Sequence, residues 1–186
     1  MGYSRSRVDP CVFFRKIERT LVIIAVHVDD CFIKYDTDSQ LAIVMAGILK
    51  KYKVSDMGEV THALGIDFTR NSDSISMSQR GYAESILDRF GFSDCHPTLT
   101  PASDAITTGK STGLEKFEMN MIVGALLWLS LNTRPDISYA VARLAQTVAN
   151  PTAESYSMAA RILRYIKGTL DYAITFSGSA RQPLQA

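Results

Sequence analysis

Apolar residues are spread unevenly along the chain, and their spacing changes from strand-like to helix-like about halfway. Residues 11–17 (CVFFRKI) and 21–28 (LVIIAVHV) are rich in β-branched and aromatic side chains. Glu18-Arg19-Thr20 separates them, which predicts a β-hairpin. The second run does not alternate, so it is expected to be an inner strand covered on both faces. It runs straight into Asp29 and Asp30, after which Cys31-Phe32-Ile33 is placed to return antiparallel. Thr37-Asp38-Ser39-Gln40 has the form of a capping box, with the threonine hydroxyl and glutamine amide serving the helix end. Leu41, Val44, Met45, Ile48, Leu49 and Tyr52 follow at helical spacing and predict one apolar stripe. VTHALGIDF (60–68) and SISMS (74–78) read as two strands joined by a polar Asn71-Ser72-Asp73 turn.

Beyond residue 80 the pattern is helical. GYAESILDRFGF predicts a short helix stopped by Gly91. A Pro-, Thr- and Ser-rich stretch follows, expected to form a flexible loop near 97–116. Three helices are predicted at 117–132, 135–149 and 152–167, with Pro135 and Pro151 in first turns and Gly168 just past the last helix. YAITF (172–176) reads as a closing strand, and the patternless tail after it is expected to fray. A strand-rich start and a helical end place the chain in the α+β class, with a helical subdomain.

Composition narrows this picture only a little. With 186 residues and a formal charge of +1, the chain can bury a real core but carries no global basic excess. A phosphate-binding surface would therefore come from local clustering. Cys11, Cys31 and Cys95 are scattered and odd in number, which argues for a reducing compartment rather than a disulfide framework. The N-terminus lacks the apolar core of a signal peptide, and no apolar run is long enough to span a bilayer. The expectation is an intracellular protein, cytoplasmic or nuclear, that does not bind membranes.

The two adjacent aspartates carry the most chemistry. Aspartate is a good turn residue, and a plain hairpin turn accounts for the pair. Two carboxylates at short range also repel, and a divalent cation removes that conflict. Mg²⁺ typically takes one or two protein carboxylates and completes its shell with water and substrate phosphates, as in two-metal phosphoryl transfer. The residues alone leave both readings open.

Their context points to a family. SRVDPCVFFRK (6–16), VHVDDCFI (26–33), SDMGEVTHALGIDF (55–68) and SQRGYAESILDRFGFSDCHPTLTP (78–101) occur in order, followed by TRPDISYAV (133–141) and RILRYIKGTLDYAITFS (161–177). Together they resemble the Ty1/copia-type retrotransposon reverse transcriptases, RNA-directed DNA polymerases whose palm carries a (Y/F)xDD hairpin. The resemblance implies a partial right-hand polymerase palm over 1–77 and a helical thumb and connection region over 78–186. It makes Asp29 and Asp30 the inherited catalytic metal ligands, with Mg²⁺ or Mn²⁺ held weakly. It makes the hairpin at Leu64 and Gly65 a primer grip, with His27 beside the primer.

The segment matched begins in the middle of the family's polymerase pattern, without the fingers or the palm strand that bears the first catalytic aspartate. Asp9 fits the family's structural Asp-Pro instead. The family's tyrosine is His27 here, its lysine is Ser55, and a small residue is replaced near Tyr35. The expectation is a chain inactive as a polymerase on its own, retaining RNA or primer–template binding. The alternatives are a co-opted interaction or dimerisation module, or half of a polymerase completed in trans.

Arg161, Arg164 and Lys167 recur every three residues and share one side of the last helix. They read either as a solvated cationic face near a helix C-terminus or, given the resemblance, as contacts to an RNA or RNA–DNA backbone. Arg134 is expected to pair with a nearby carboxylate or to cap the preceding helix. The helix 117–132 is apolar almost all round, and any part left uncovered would favour a homodimer or a protein partner. Gly109-Lys110-Ser111-Thr112 lacks the strand and leading glycine of a P-loop, and His27, Cys31, Cys95 and His96 lack zinc-finger spacing.

Overall fold

The computed structural model describes residues 2–17, 19–103 and 112–178, which form two compact units, Met1–Gly58 and Glu59–Ala186. Gly109-Lys110-Ser111 and the tail from residue 179 lie outside the described residues. The protein is α+β, with two antiparallel sheets and five α-helices among the described residues.

In the first unit, β1 (Ser4–Arg5), β2 (Val12–Ile17), β3 (Thr20–His27) and β4 (Asp30–Lys34) form one sheet in chain order. Asp9 prepares β2: its carboxylate accepts the Cys11 N–H at 2.8 Å and its carbonyl accepts the Val12 N–H at 3.1 Å. That is the structural role read for the Asp-Pro pair. Helix α1 (Asp38–Leu49) supplies Val44 and Ile48 to a small core with Ile17, Val22 and Ile24.

Three expectations need correction here. β3 is an inner strand, but it is not covered on both faces: Val22 and Ile24 are buried, whereas Leu21 is 41% exposed. The capping box does not form, because the Thr37 side chain makes no cap bond. Gln40 is drawn instead into the interface with the sheet. Its amide N–H donates to Ile17 O at 3.1 Å and to the Thr20 hydroxyl, and its Oε1 accepts the Asp36 N–H. A buried amide with these partners is worth more to the fold than one helix-end bond. Finally, only Val44 of the predicted stripe is fully buried, and Leu49 and Tyr52 are exposed, because the sheet is too narrow to cover them.

The second unit starts with a hairpin where one strand was predicted. Residues 60–68 break at Leu64-Gly65 into β5 (His62–Ala63) and β6 (Ile66–Arg70), followed by β7 (Ser74–Ser78). The closing strand, β8 (Ile174–Ser177), pairs with β7 and brings the chain's end into this sheet. The second sheet therefore belongs with the helices, and the compact units divide at Gly58.

Helices α2 (Arg80–Phe90), α3 (Met119–Asn132), α4 (Ser138–Ala145) and α5 (Ala153–Gly168) enclose one core, which includes Ile86, Leu87, Phe90, Ile122, Leu126, Leu144, Ile162 and Ile166. Gly91 ends α2 at φ 76° as expected, and Phe92 N–H reaches back to Leu87 O at 2.7 Å. Pro135 opens a 3₁₀ turn (Pro135–Ile137) ahead of α4. Pro151 stands just outside α5, whose cap is a Thr152–Ser155 box. Gly168 is the last residue of α5 rather than the one beyond it.

Candidate functional site

Asp29 and Asp30 are placed by a tight turn. β3 and β4 close with His27 opposite Asp30, leaving Val28 and Asp29 as a two-residue loop. Val28 has φ 56°, a left-handed conformation in which a β-branched side chain meets its own backbone. The register demands it, since a two-residue hairpin needs at least one such residue to match the sheet twist. The two carboxylates therefore differ in position: Asp29 is in the loop, and Asp30 begins a paired strand beside His27. All four residues of the tip are exposed.

Chemically, the tip offers two adjacent hard oxygen donors open to solvent. That suits one or two carboxylate ligands to Mg²⁺, whose remaining positions take water and phosphate oxygens. Among the described residues, no three His, Cys, Asp or Glu side chains gather at one point, so the pair stands as a two-carboxylate arrangement.

The second hairpin has different turn chemistry. Leu64 and Gly65 both have positive φ, 54° and 73°, the requirement of a type I′ turn. Gly65 meets that requirement freely, and a Cβ there would touch nothing within 4 Å. Its need is conformational, and open space lies beside it. Below the turn, His62 Nδ1 stands 2.7 Å from the Asp67 carboxylate, directly across the strands. This pair was not read from the sequence. Only the turn position reveals it, by making the two residues cross-strand partners.

On α5, Arg161, Arg164 and Lys167 do share one side, all half-buried. Residues 96–100 lie along that side. Arg161 donates to Thr100 O at 3.1 Å and to the Thr100 hydroxyl at 2.8 Å, and Arg164 donates to His96 O at 2.6 Å. Thr98 returns the contact, its N–H bonding Arg164 O at 3.3 Å. Pro97 packs so closely over Gly168 that an added Cβ would lie 2.9 Å from its ring. Burial pushes the Cys95 thiol up, against the opposing pull of Arg164 and Lys167. No sequence signal marks this strap, because backbone carbonyls do most of the accepting.

Arg134 does pair with a carboxylate, and the helix end it holds is that of α5 rather than that of the preceding α3. It is 3% exposed, grips Asp136 through two nitrogens at 2.7 and 2.9 Å, and donates to Thr169 O and Oγ1 at the end of α5. Tyr165 and Tyr172 stack about the guanidinium. Burial alone would raise the Asp136 carboxyl, but the Arg134 hydrogen bonds and charge outweigh it and hold it below the usual carboxylate range.

Comparison with known proteins matches residues 1–104 to the family described as reverse transcriptase (RNA-dependent DNA polymerase). An uncharacterized mitochondrial protein of Arabidopsis thaliana is 33% identical over 162 residues, which is 86% of this chain and 67% of that protein. A retrovirus-related Pol polyprotein from transposon TNT 1-94 of Nicotiana tabacum is 30% identical over 95% of this chain, and one from transposon RE2 of Arabidopsis thaliana is 32% identical over 94%. The chain spans only 14% and 12% of those two polyproteins. No solved structure matches it. The DD hairpin, the ordered motifs and these relatives lead to one assignment: the chain belongs to the reverse transcriptase (RNA-dependent DNA polymerase) family, in its Ty1/copia-type retrotransposon branch.

Proposed function

We propose that this reverse-transcriptase-like chain binds RNA or an RNA–DNA hybrid and does not extend a primer by itself. The observation that carries the reading is the cation row on α5. Each guanidinium has five N–H donors, and the strap engages two of Arg161 and one of Arg164. The side chains are thus oriented in advance, with further donors left for phosphate oxygens, and Lys167 extends the row by one turn. The Leu64–Gly65 hairpin, with open space at its tip, supports the same reading as a backbone contact. Asp29 and Asp30 would hold a divalent cation, which supplies charge neutralisation at a phosphate. Two carboxylates alone bind such an ion weakly, so catalysis awaits a third carboxylate from another chain or segment.

The test is fluorescence anisotropy of a labelled RNA–DNA hybrid at several salt concentrations. Affinity should fall linearly on a log–log salt plot, with a shallower slope in Arg161→Ala/Arg164→Ala. No binding at low salt would remove the reading. In primer extension with Mg²⁺ or Mn²⁺, the chain alone should give no product. Extension abolished by Asp29→Asn would show that it is a polymerase after all.

A second reading, a protein-interaction module, rests on α3. Met121, Gly124, Trp128 and Leu131 are exposed along one stripe, although Ile122, Val123, Ala125, Leu126 and Leu129 on the other side are buried. Such a stripe suits a second helix, in a homodimer or with another protein. No described helix is long and apolar enough to cross a membrane.

A further inference from the structure

Among the described residues, β4 has β3 on one side and no strand on the other. The two-residue loop closes on a hydrogen-bonded His27–Asp30 pair, so bonding to β3 alternates along β4. Val26 N–H goes to Cys11 O at 3.0 Å on the β2 side, which leaves the Val26–Cys31 pair unbonded. Hence Asp30, Phe32 and Lys34 bond inward, and Cys31 and Ile33 aim their N–H and C=O groups at the open edge.

The side chains on this strand read DCFIK. Charges on an edge strand usually block pairing. Here they have opposite signs and stand equally far from Phe32. Antiparallel pairing of two copies about Phe32 sets Asp30 opposite Lys34 of the second copy, twice, and Cys31 opposite Ile33. Phe32 then faces itself in a non-hydrogen-bonded pair, where side chains approach most closely. The outward groups of Cys31 and Ile33 fall in the two bonded pairs, giving four interchain hydrogen bonds. A slip of two residues loses both ion pairs, and in-register parallel pairing puts lysine on lysine. Lys34 already meets the Asp36 carboxylate and Leu21 O, and its ammonium keeps a third donor for the partner. The other free edges fit less well: β1 and β5 have two residues each, and β8 (ITFS) carries no charge.

We propose that β4 is the pairing edge of a homodimer, two copies of Asp30–Lys34 lying antiparallel about a two-fold axis at Phe32. Ten paired residues make a small interface, so the dimer is concentration-dependent. The proposal rests on the strand's geometry and not on nucleic-acid binding, with which it shares only Asp30.

Sedimentation equilibrium of the whole chain, from micromolar to millimolar, tests it. A monomer–dimer equilibrium is expected. Lys34→Glu sets like charges opposite each other at both ends and should weaken dimerisation about tenfold or more. The charge swap Asp30→Lys/Lys34→Glu restores complementarity and should restore the dimer. Phe32→Cys, with Cys11, Cys31 and Cys95 replaced by serine, should oxidise to a single crosslinked dimer, a readout that does not depend on Lys34 variants folding. The proposal fails if the mass stays monomeric, if Lys34→Glu leaves dimerisation unchanged, or if the swap does not rescue it. It also fails if dimerisation is lost in Leu131→Lys yet indifferent to Lys34, since that result assigns the contact to α3.

Discussion

The two units solve the same burial problem with different means. The second closes four helices around one core and neutralises the buried Arg134 with a carboxylate, a helix end and two aromatic rings. The first has one helix on one face of a four-stranded sheet. Its fully buried apolar residues are Ile17, Val22, Ile24 and Val44, while Phe14, Leu21, Ile43, Leu49 and Tyr52 stay in water. A sheet of this kind needs a second layer to bury both faces. The comparison teaches where stability and where availability reside: the helical unit closes a large core but leaves the α3 stripe open, and the DD hairpin sits in the unit with the thinner core.

The largest effect that sharpens this contrast comes from Arg134. Arg134→Met should cost the second unit about 3 kcal/mol in urea unfolding, because it strands Asp136 and frees the end of α5. Arg134→Lys should recover only part, since a point charge cannot reproduce the forked contact. The pH dependence follows from the sign of the Asp136 shift. Its folded pKa is depressed, so its contribution is present above the unfolded value of about 4 and is lost as pH falls through the folded pKa. Acid unfolding of the second unit should therefore move to lower stability below that range, and Asp136→Asn should flatten the pH dependence while lowering stability at neutral pH.

Core truncation should differ between units. Leu126→Ala should cost about 3 kcal/mol through lost contacts and a cavity that four packed helices cannot close. Val44→Ala should cost about 1.5 kcal/mol, the transfer term alone, because α1 can settle onto a thin core. Equal losses, measured by chemical denaturation, would break the comparison. The smallest effect is a gain. Val28→Asn relieves a β-branched residue at positive φ and should raise the stability of the first unit by about 1 kcal/mol. No gain would mean that the hairpin relaxes without cost in solution.

Legibility tracked the locality of each signal. Gly91 and its helix end, the β2–β3 hairpin and the pairing of Arg134 depend on neighbours in sequence, and each was readable there. The split of 60–68 at Leu64-Gly65 was hidden from periodicity, since a type I′ turn with leucine in its first position carries half the usual signal. The family motif marked that hairpin nonetheless. Gln40 looked like a helix cap because the local pattern is that of a cap. A carbonyl and a hydroxyl on the neighbouring hairpin, more than 15 residues away, decided otherwise.

By itself the sequence determined the α+β class, the family, the place of the two aspartates after an apolar strand, and the i, i+3 row of cations on the last helix. All of these are properties of pattern, carried by side-chain spacing along one segment. Tertiary structure decided which apolar faces are covered, that residues 96–100 take up donors of Arg161 and Arg164, and that β4 ends the sheet with its bonding groups free. Those outcomes depend on which distant segment arrives at a surface, and a backbone carbonyl that accepts a hydrogen bond looks the same at every position in a sequence.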